Sequence, residues 1–275
     1  MAGERTLVLY DASSGAVPGE SLLDFIEFPP GSASVTYSED ATVLDTTPSG
    51  NNTVAGWTSG QATTAGFPVL DRTTGMQVNF TLQVESESHA RDNRCGLSAI
   101  ILDQNARGIE LCIWENEIWA QNDADTGGLF THGEGAAFSS ASGLTDYQVM
   151  MLGDTYTLTA NAQPLLSGPI RDYSSFEGFP DPYETPNFLF LGDDTRSGEA
   201  RIRHRFLSVT GTDPGTVPGI STSQPVASSM PQPTVSPVAT PSPTPTGGVP
   251  ALCSSGWLIV GAAMTGAVLI RKRSR

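Results

Sequence analysis

Hydrophobic and polar positions alternate over short stretches of this chain, and the clearest stretch covers residues 76–85. Its apolar positions are Met76, Val78, Phe80, Leu82 and Val84, and each is followed by a polar residue. Successive side chains of an extended chain point to opposite faces. The pattern therefore predicts a β-strand with one buried face.

Residues 94–122 predict a three-stranded antiparallel meander. If Glu115 and Asn116 form a two-residue hairpin loop, Ile113 lies opposite Ile118 and Cys112 lies opposite Trp119. One face of the meander is then apolar and is expected to be a core face: Ile109, Leu111, Ile113, Ile118 and Ala120. The other face mixes indoles, carboxylates and an amide: Glu110, Cys112, Trp114, Glu117, Trp119 and Gln121.

Other short apolar segments are separated by turns rich in Gly, Pro, Asp and Ser. They predict strands at residues 6–10, 22–28, 34–44, 147–152, 155–159, 186–191 and 200–209. No part of residues 1–212 shows helical periodicity. Many short strands without helices are typical of an all-β sandwich or jelly roll, and residues 1–212 are expected to form it.

The composition changes after residue 212. Residues 213–250 are rich in Pro, Ser, Thr, Val and Gly and predict an extended linker. Residues 251–270 are apolar and uncharged, and a helix of that length spans about 30 Å, the thickness of a bilayer core. They predict a transmembrane helix, with a buried core helix as the alternative. Arg271, Lys272 and Arg273 would stop it, and the basic tail, residues 271–275, would lie in the cytoplasm.

The charge distribution excludes one class of partner. Residues 1–212 contain 28 acidic residues, 10 arginines and no lysine. So acidic a domain repels nucleic acid, and no nucleic-acid partner is expected. Arg201, Arg203 and Arg205 share one face of the last predicted strand, where they are expected to balance local acid. His204 falls on the opposite, apolar face and is expected to be a core histidine.

Two cysteines lie in the meander. A short first loop around residues 104–107 places Cys112 opposite Ala99, so a Cys95–Cys112 disulfide needs a bulge or another register. Two small buried thiols are the expected state, and the disulfide is the alternative.

The mixed face of the meander is the candidate binding surface. Indoles stack on sugar rings, and carboxylates and amides bind hydroxyl groups, so this face is a candidate carbohydrate site: Glu110, Trp114, Glu117, Trp119 and Gln121. The alternative is that both indoles are packed. Glu110 and Glu117 share the face, so a glycoside hydrolase is conceivable, but no known catalytic motif is present and no enzymatic activity is expected.

Asp193 and Asp194 follow a predicted strand. Paired carboxylates in a loop can bind Ca²⁺, whereas an Asx turn that ends the strand is the simpler alternative. No other cofactor is expected.

Several segments of this sequence resemble those of a bacterial protein family. Residues 93–102, 108–114, 117–121, 129–132 and 186–194 resemble the type Y "choice-of-anchor" surface domains, which are largely cyanobacterial. The resemblance covers about residues 7–211. It implies a concanavalin/laminin-G-like jelly roll exported to the cell envelope, with a C-terminal sorting signal and no established catalytic residues.

The C-terminus departs from the PEP-CTERM signal that many such proteins carry. Val249 and Pro250 are present, but Ala251 and Leu252 stand where Glu-Pro is expected, which puts recognition by an exosortase-type sorting enzyme in question. The first residues also predict a strand and not a secretory signal peptide. Export would then need a leader upstream of Met1 or another route.

These observations predict an acidic, lectin-like β-sandwich outside the cell, held by a C-terminal helix in the membrane. Its expected role is to bind extracellular polysaccharide or to form part of it. The alternative is a structural surface protein without a small ligand. The expected partners are the membrane, polysaccharide and a C-terminal sorting enzyme.

Overall fold

The computed structural model describes residues 3–18, 22–50, 52–59, 66–178 and 180–216. These residues form fifteen strands and three short 3₁₀ turns, and no α-helix is present among them. The strands are β1 (Glu4–Asp11), β2 (Asp24–Phe28), β3 (Ser34–Ser38), β4 (Ala41–Asp45), β5 (Val54–Thr58), β6 (Met76–His89), β7 (Ser98–Leu102), β8 (Gly108–Ile113), β9 (Glu117–Gln121), β10 (His132–Ala137), β11 (Thr145–Leu152), β12 (Thr155–Ala160), β13 (Gln163–Pro169), β14 (Leu189–Asp193) and β15 (Gly198–Thr212).

The strands form two antiparallel sheets packed face to face. The first has the order β13-β12-β11-β6-β15-β4-β3, and the second has the order β10-β9-β8-β7-β14-β5-β2. The long strand β15 pairs with β6 along one side. On its other side its first half pairs with β4 and its second half pairs with β1. The prediction of an all-β sandwich is confirmed.

The core lies between the sheets, as the alternation predicted. Met76, Val78, Phe80, Leu82 and Val84 are each at most 3% exposed and belong to one apolar cluster. The predicted core face of the meander joins the same cluster: Ile109, Leu111, Ile113, Ile118 and Ala120. The predicted register of the second hairpin is also confirmed, because Cys112 pairs with Trp119 and Ile113 with Ile118.

The prediction of a single strand over residues 34–44 is wrong. This segment is the hairpin β3–β4, and it turns at Glu39 and Asp40, which have φ angles of 56° and 84°. Tight hairpin turns need such left-handed residues and usually use Gly or Asn. Neither Glu39 nor Asp40 is one of these usual turn residues. The alternating pattern therefore continued across the turn, and the sequence predicted one strand in place of two.

The predicted register of the first meander hairpin is wrong by one residue. Cys112 lies opposite Ser98, and Leu111 lies opposite Ala99. The loop is closed by the Asp103 amide, which donates to the carbonyl of Arg107 at 2.8 Å. The Asp103 carboxylate also accepts the Arg107 amide at 3.0 Å, so the hairpin closes between Asp103 and Arg107 and the pairing of the two strands shifts by one residue.

Cys95 and Cys112 form a disulfide, in place of the two buried thiols expected from the sequence. Cys95 precedes β7, and the Leu97 carbonyl still accepts the Ile113 amide at 3.0 Å, so this segment stays beside β8. Their Cα atoms are 5.7 Å apart. That is within the usual range for a disulfide.

His204 and the arginine row lie as predicted. His204 is fully buried against the rings of Tyr10 and Trp57, and its Nε2 is 3.0 Å from the carbonyl of Phe206. Burial lowers its pKa to about 4, so it is neutral. On the opposite face the arginines pair with carboxylates: Arg201 with Asp45 and Glu85, Arg203 with Glu39, Asp40 and Glu85, and Arg205 with Asp40.

The predicted transmembrane helix, its basic stop and all of the predicted linker after residue 216 lie outside the described residues. Within the described part of the chain, no helix has the length and apolar character needed to span a membrane.

Removing the disulfide should destabilise the sandwich. It joins residues 17 positions apart, and a loop of that size corresponds to about 3 kcal/mol in the free energy of unfolding. Urea denaturation of the Cys95→Ala/Cys112→Ala variant should show that loss. A thiol reductant should weaken the wild-type chain by a similar amount and leave the variant unchanged. Equal stability of the wild type with and without reductant would contradict the disulfide.

Candidate functional site

The mixed face of the meander, on the outer side of the second sheet, is mostly covered. Glu110 is 2% exposed, Trp119 is 0% exposed and Gln121 is 4% exposed. The cover is a segment without regular strands, residues 172–178 and 180–188, which we call the covering segment. It packs Tyr173 and Tyr183 against Ile100, Leu102 and Phe190. The face is therefore not an open platform, and the cover divides it into two parts.

In the first part, histidines cover the two tryptophans. The ring of His132 stacks on Trp119 at 4.1 Å, and the ring of His89 stacks on Trp114 at 4.1 Å. Nε2 of His132 also lies 3.1 Å from the Glu117 carboxylate. These contacts occupy one face of each indole, and Trp119 is fully buried, so the two tryptophans do not form an open stacking surface. They also give Glu117 a different partner from Glu110, so the structure does not form the predicted Glu110–Glu117 pair.

In the second part, a pocket of about 190 Å³ opens over strands β7, β8, β9 and β14. Glu110 and Gln121 of the predicted set line it, and Asp194 joins them from the end of β14. The other lining residues are mainly apolar and aromatic: Ile26, Val54, Arg94, Cys95, Ile100, Phe130, Phe176, Pro180, Pro182, Tyr183, Phe188, Phe190 and Thr195.

The hydroxyl of Tyr173 connects the backbones of two residues of the pocket floor, Glu110 and Gln121. The Glu110 amide donates to the hydroxyl of Tyr173 at 3.1 Å, and that hydroxyl donates to the Gln121 carbonyl at 2.8 Å. Regular pairing of β8 and β9 covers residues 111–113. Tyr173 thus stands between the two strands where the ladder ends, and it ties the covering segment to both floor residues.

Glu110 and Asp194 act as one acid pair. Ser98 Oγ lies 2.8 Å from an Asp194 oxygen and 3.3 Å from Glu110 Oε1, and a hydroxyl has only one proton to donate. The two carboxyls are also close enough to hydrogen-bond with each other. Tyr183 donates to Glu110 Oε2 at 2.5 Å. Because carboxylate oxygens only accept, a hydrogen bond between Glu110 and Asp194 requires a proton on one of the two carboxyls.

The electrostatics agree with a shared proton. Burial, and then the charge of Asp194, raise the pKa of Glu110 well above its usual range. Burial likewise raises the pKa of Asp194. Two adjacent carboxyls in a low-dielectric site cannot both ionise readily. The pair thus presents one neutral carboxyl, which can donate or accept, beside one acceptor.

One side of the pocket, which we call the aromatic wall, consists of Phe130, Phe176 and Tyr183 and comes from two loops. Phe130 packs edge-on against Phe176, with ring centroids 5.2 Å apart, and Phe176 packs edge-on against Tyr183 at 5.6 Å. Phe130 has a φ of 55°, and its carbonyl accepts the Asn93 side-chain amide at 2.9 Å. This fixed backbone sets the position of the wall over the floor.

The two aspartates predicted to share a Ca²⁺ ion contact different partners. Asp193 is buried and accepts from the Thr46 hydroxyl at 2.9 Å, whereas Asp194 accepts from Ser98. Burial raises the pKa of Asp193 well above its usual range. Among the described residues there is no group of three or more His, Cys, Asp or Glu side chains arranged to hold a metal ion.

No protein-family model and no curated protein matches the sequence. Among solved structures, the chain is similar to a conserved carbohydrate esterase of the Shiga toxin-encoding bacteriophage phi24B, at 14% identity and a TM-score of 0.45, covering 77% of this chain and 100% of that one. It is also similar to the Ca²⁺- and mannose-bound exoplasmic domain of VIP36, at 11% identity and a TM-score of 0.42, covering 74% and 88%. A protein of Bacillus subtilis with a galectin-like fold matches at 10% identity and a TM-score of 0.40, covering 69% and 90%. Such distant likenesses extend to the fold alone.

Sequence reasoning missed the covering segment and the pairing of Glu110 with Asp194. The segment showed no strand pattern, but it is dense in aromatic residues and proline: Tyr173, Phe176, Pro180, Pro182, Tyr183, Pro186 and Phe188. So many large apolar side chains in a loop indicate a surface that the loop must cover. That signal was available before the fold was known.

Replacing Glu110 with Gln should change the pH dependence of stability. Because the folded pKa of Glu110 is raised, the native state binds more protons than the unfolded state above the unfolded pKa of about 4.5. The free energy of unfolding should therefore fall as the pH rises, until the folded pKa is passed. Gln keeps the shape of Glu and cannot ionise, so the free energy of unfolding of the variant should fall less over the same pH range. The difference is about 1.4 kcal/mol for each pH unit between the unfolded and the folded pKa of Glu110.

Urea denaturation at a series of pH values measures this slope. Asp146→Asn, at an exposed carboxylate on the other sheet, serves as the matched control and should keep the wild-type slope. If Glu110→Gln also keeps the wild-type slope, the assignment of a raised pKa to Glu110 is wrong.

Proposed function

We propose that the sandwich binds carbohydrate through the pocket over the second sheet, and that it takes one sugar residue of a larger glycan. The observation that carries this proposal is the combination of a polar floor, Glu110, Gln121 and Asp194, with an aromatic wall. This combination favours a ligand that has both hydroxyl groups and apolar ring faces.

The hydrogen-bonding capacity of the floor suits a sugar. A sugar hydroxyl can donate one hydrogen bond and accept others, as a serine hydroxyl does. The protonated carboxyl of the pair can donate to it, and the ionised carboxyl of the pair can accept from it. Phe130, Phe176 and Tyr183 line the pocket and supply apolar contacts for the C–H groups of the sugar.

The size of the pocket favours a single residue. Its volume of about 190 Å³ lies below the roughly 300–1,000 Å³ that is usual for drug-sized ligands. A terminal or branching sugar is therefore the preferred ligand, because the neighbouring residues of the glycan can stay outside.

Binding is favoured over hydrolysis. Carboxyls that catalyse glycoside hydrolysis stand roughly 5–5.5 Å or 6.5–9.5 Å apart, because a sugar carbon or a water molecule must fit between them. Glu110 and Asp194 instead lie within hydrogen-bonding reach of each other. We therefore assign the pair to recognition.

The cellular role that we propose combines this pocket with the sequence beyond the sandwich. The linker, the apolar run at residues 251–270 and the basic residues Arg271, Lys272 and Arg273 support a single-pass anchor with the sandwich outside the cell. The resemblance to choice-of-anchor surface domains supports the same location and a C-terminal sorting enzyme as a partner. The ligand would then be an envelope or matrix polysaccharide.

A structural surface protein is the second candidate, and one observation favours it. Trp57 and Trp119 are at most 1% exposed, as expected of tryptophans that serve packing alone. This candidate gives no role to the pocket, so a pocket variant would behave as the wild type in every binding assay.

Glycan-array binding and calorimetry with the full chain test the proposal, in a detergent without a sugar headgroup. Asp194→Ala should weaken glycan binding at least about tenfold, because it removes a charged hydrogen-bonding group at the ligand. Asp146→Ala, on the other sheet, should bind as the wild type does. Folded Trp114→Ala should also retain binding, because His89 already covers that indole.

Two results would contradict the proposal. The first is that no glycan binds the wild-type chain. The second is that Trp114→Ala abolishes binding while Asp194→Ala retains it, which would place the sugar on the indoles.

A further inference from the structure

The floor of the pocket has more hydrogen-bond acceptors than donors. Gln121 is 4% exposed, its Nε2 points to Cys112 Sγ at 3.5 Å, and its Oε1 has no hydrogen-bond partner among the described residues. A buried acceptor without a partner is costly. Glu110 and Asp194 add carboxyl oxygens to the same floor. A ligand that donates several hydrogen bonds would satisfy all three side chains.

Positive charge compensates the floor only in part: the charge of Arg94 lowers the pKa of Asp194, against the rise caused by burial. Neither Glu110 nor Asp194 takes part in an ion pair within the described residues. Arg94 lines the pocket, but its Nη1 donates to the backbone carbonyls of Asn93 at 2.7 Å and Phe130 at 3.4 Å. Even with Arg94 counted, ionisation of both carboxyls leaves one negative charge uncompensated.

We propose that the pocket recognises a sugar that carries a protonated amine, with the ammonium group bound by Glu110, Asp194 and Gln121. An ammonium group has three N–H donors and no acceptor, which matches three acceptor side chains. It also supplies the charge that lets both carboxyls ionise. This inference rests on the proposed carbohydrate function and names the class of sugar.

The aromatic wall suits the same ligand. Rings of Phe130, Phe176 and Tyr183 line the pocket beside the carboxyls. A cation within about 6 Å of an aromatic ring face is stabilised by the ring quadrupole, and aromatic cages recognise ammonium ligands in this way. A neutral sugar would gain the ring contacts without the electrostatic term.

A calcium ion is the competing occupant. Calcium takes roughly six to eight oxygen ligands and favours a wet, carboxylate-rich site. The pocket offers two carboxyls and one amide oxygen within an aromatic wall. An organic ammonium therefore fits the surroundings better than a bare divalent cation does.

Calorimetry on the full chain tests the inference with three methyl glycosides that share one ring: glucoside, N-acetylglucosaminide and glucosaminide. At about pH 6 the free amine is protonated. We expect the glucosaminide to bind at least about tenfold more tightly than the glucoside and the N-acetylglucosaminide. Methylammonium and calcium chloride are titrated separately.

Variants identify the groups responsible. Glu110→Gln and Asp194→Asn should each reduce the preference for the glucosaminide over the neutral glucoside to less than about threefold. Asp146→Asn should keep the full preference. Asp194 is only partly buried, so Asp194→Asn gives a readable result even if Glu110→Gln fails to fold.

Each outcome has one interpretation. Equal affinity for all three glycosides overturns the ammonium inference and leaves carbohydrate binding in place. Binding of methylammonium that depends on Asp194, with no sugar bound, supports the ammonium site and overturns the carbohydrate function. Calcium binding that depends on Asp194, without any amine preference, makes the pocket a metal site and overturns the inference. Binding of no probe at all overturns both proposals.

Discussion

The central strands of the second sheet are buried on both faces, and this constraint shapes the rest of the molecule. Along β7, Ala99 and Ile101 face the core between the sheets, whereas Ile100 and Leu102 face the covering segment. A sheet buried on both sides must satisfy every polar side chain that it carries. The covering segment meets this requirement by bringing Tyr173 and Tyr183 to the polar residues of the outer face.

Glu110 is where this requirement is hardest to meet. A carboxylate in such surroundings needs a cation or a proton, and no arginine of the described chain pairs with it. The structure provides a proton shared with Asp194 and a hydrogen bond from Tyr183. The same arrangement leaves acceptors facing an open pocket, so the group that is costly for folding is also the group best placed to bind a ligand.

Alternation of side chains predicted the parts of the fold that depend on a single sheet. The strand at residues 76–85, the core face of the meander and the register of its second hairpin follow from the period of two residues and a tight turn. The register of the first hairpin differs by one residue because the Asp103 amide and carboxylate both bond Arg107 and close the hairpin there. The turn at Glu39 and Asp40 lacked the residues that usually mark one.

The candidate site was predictable only in part. Glu110 and Gln121 were found because they share a face with the tryptophans, but their true neighbours come from distant segments. Asp194 lies 84 positions after Glu110 in the sequence, and no local pattern connects them. His89 and His132, which stack on Trp114 and Trp119, come from segments before and after the two tryptophans, and no local pattern places them there.

A crystal structure of the chain with methyl glucosaminide would test the central claim most directly. The account predicts one sugar in the pocket over the second sheet, with its amine nitrogen at about 3 Å from oxygens of Glu110 and Asp194. A sugar bound anywhere else, such as beside Trp114 or on the outer face of the first sheet, would contradict the account.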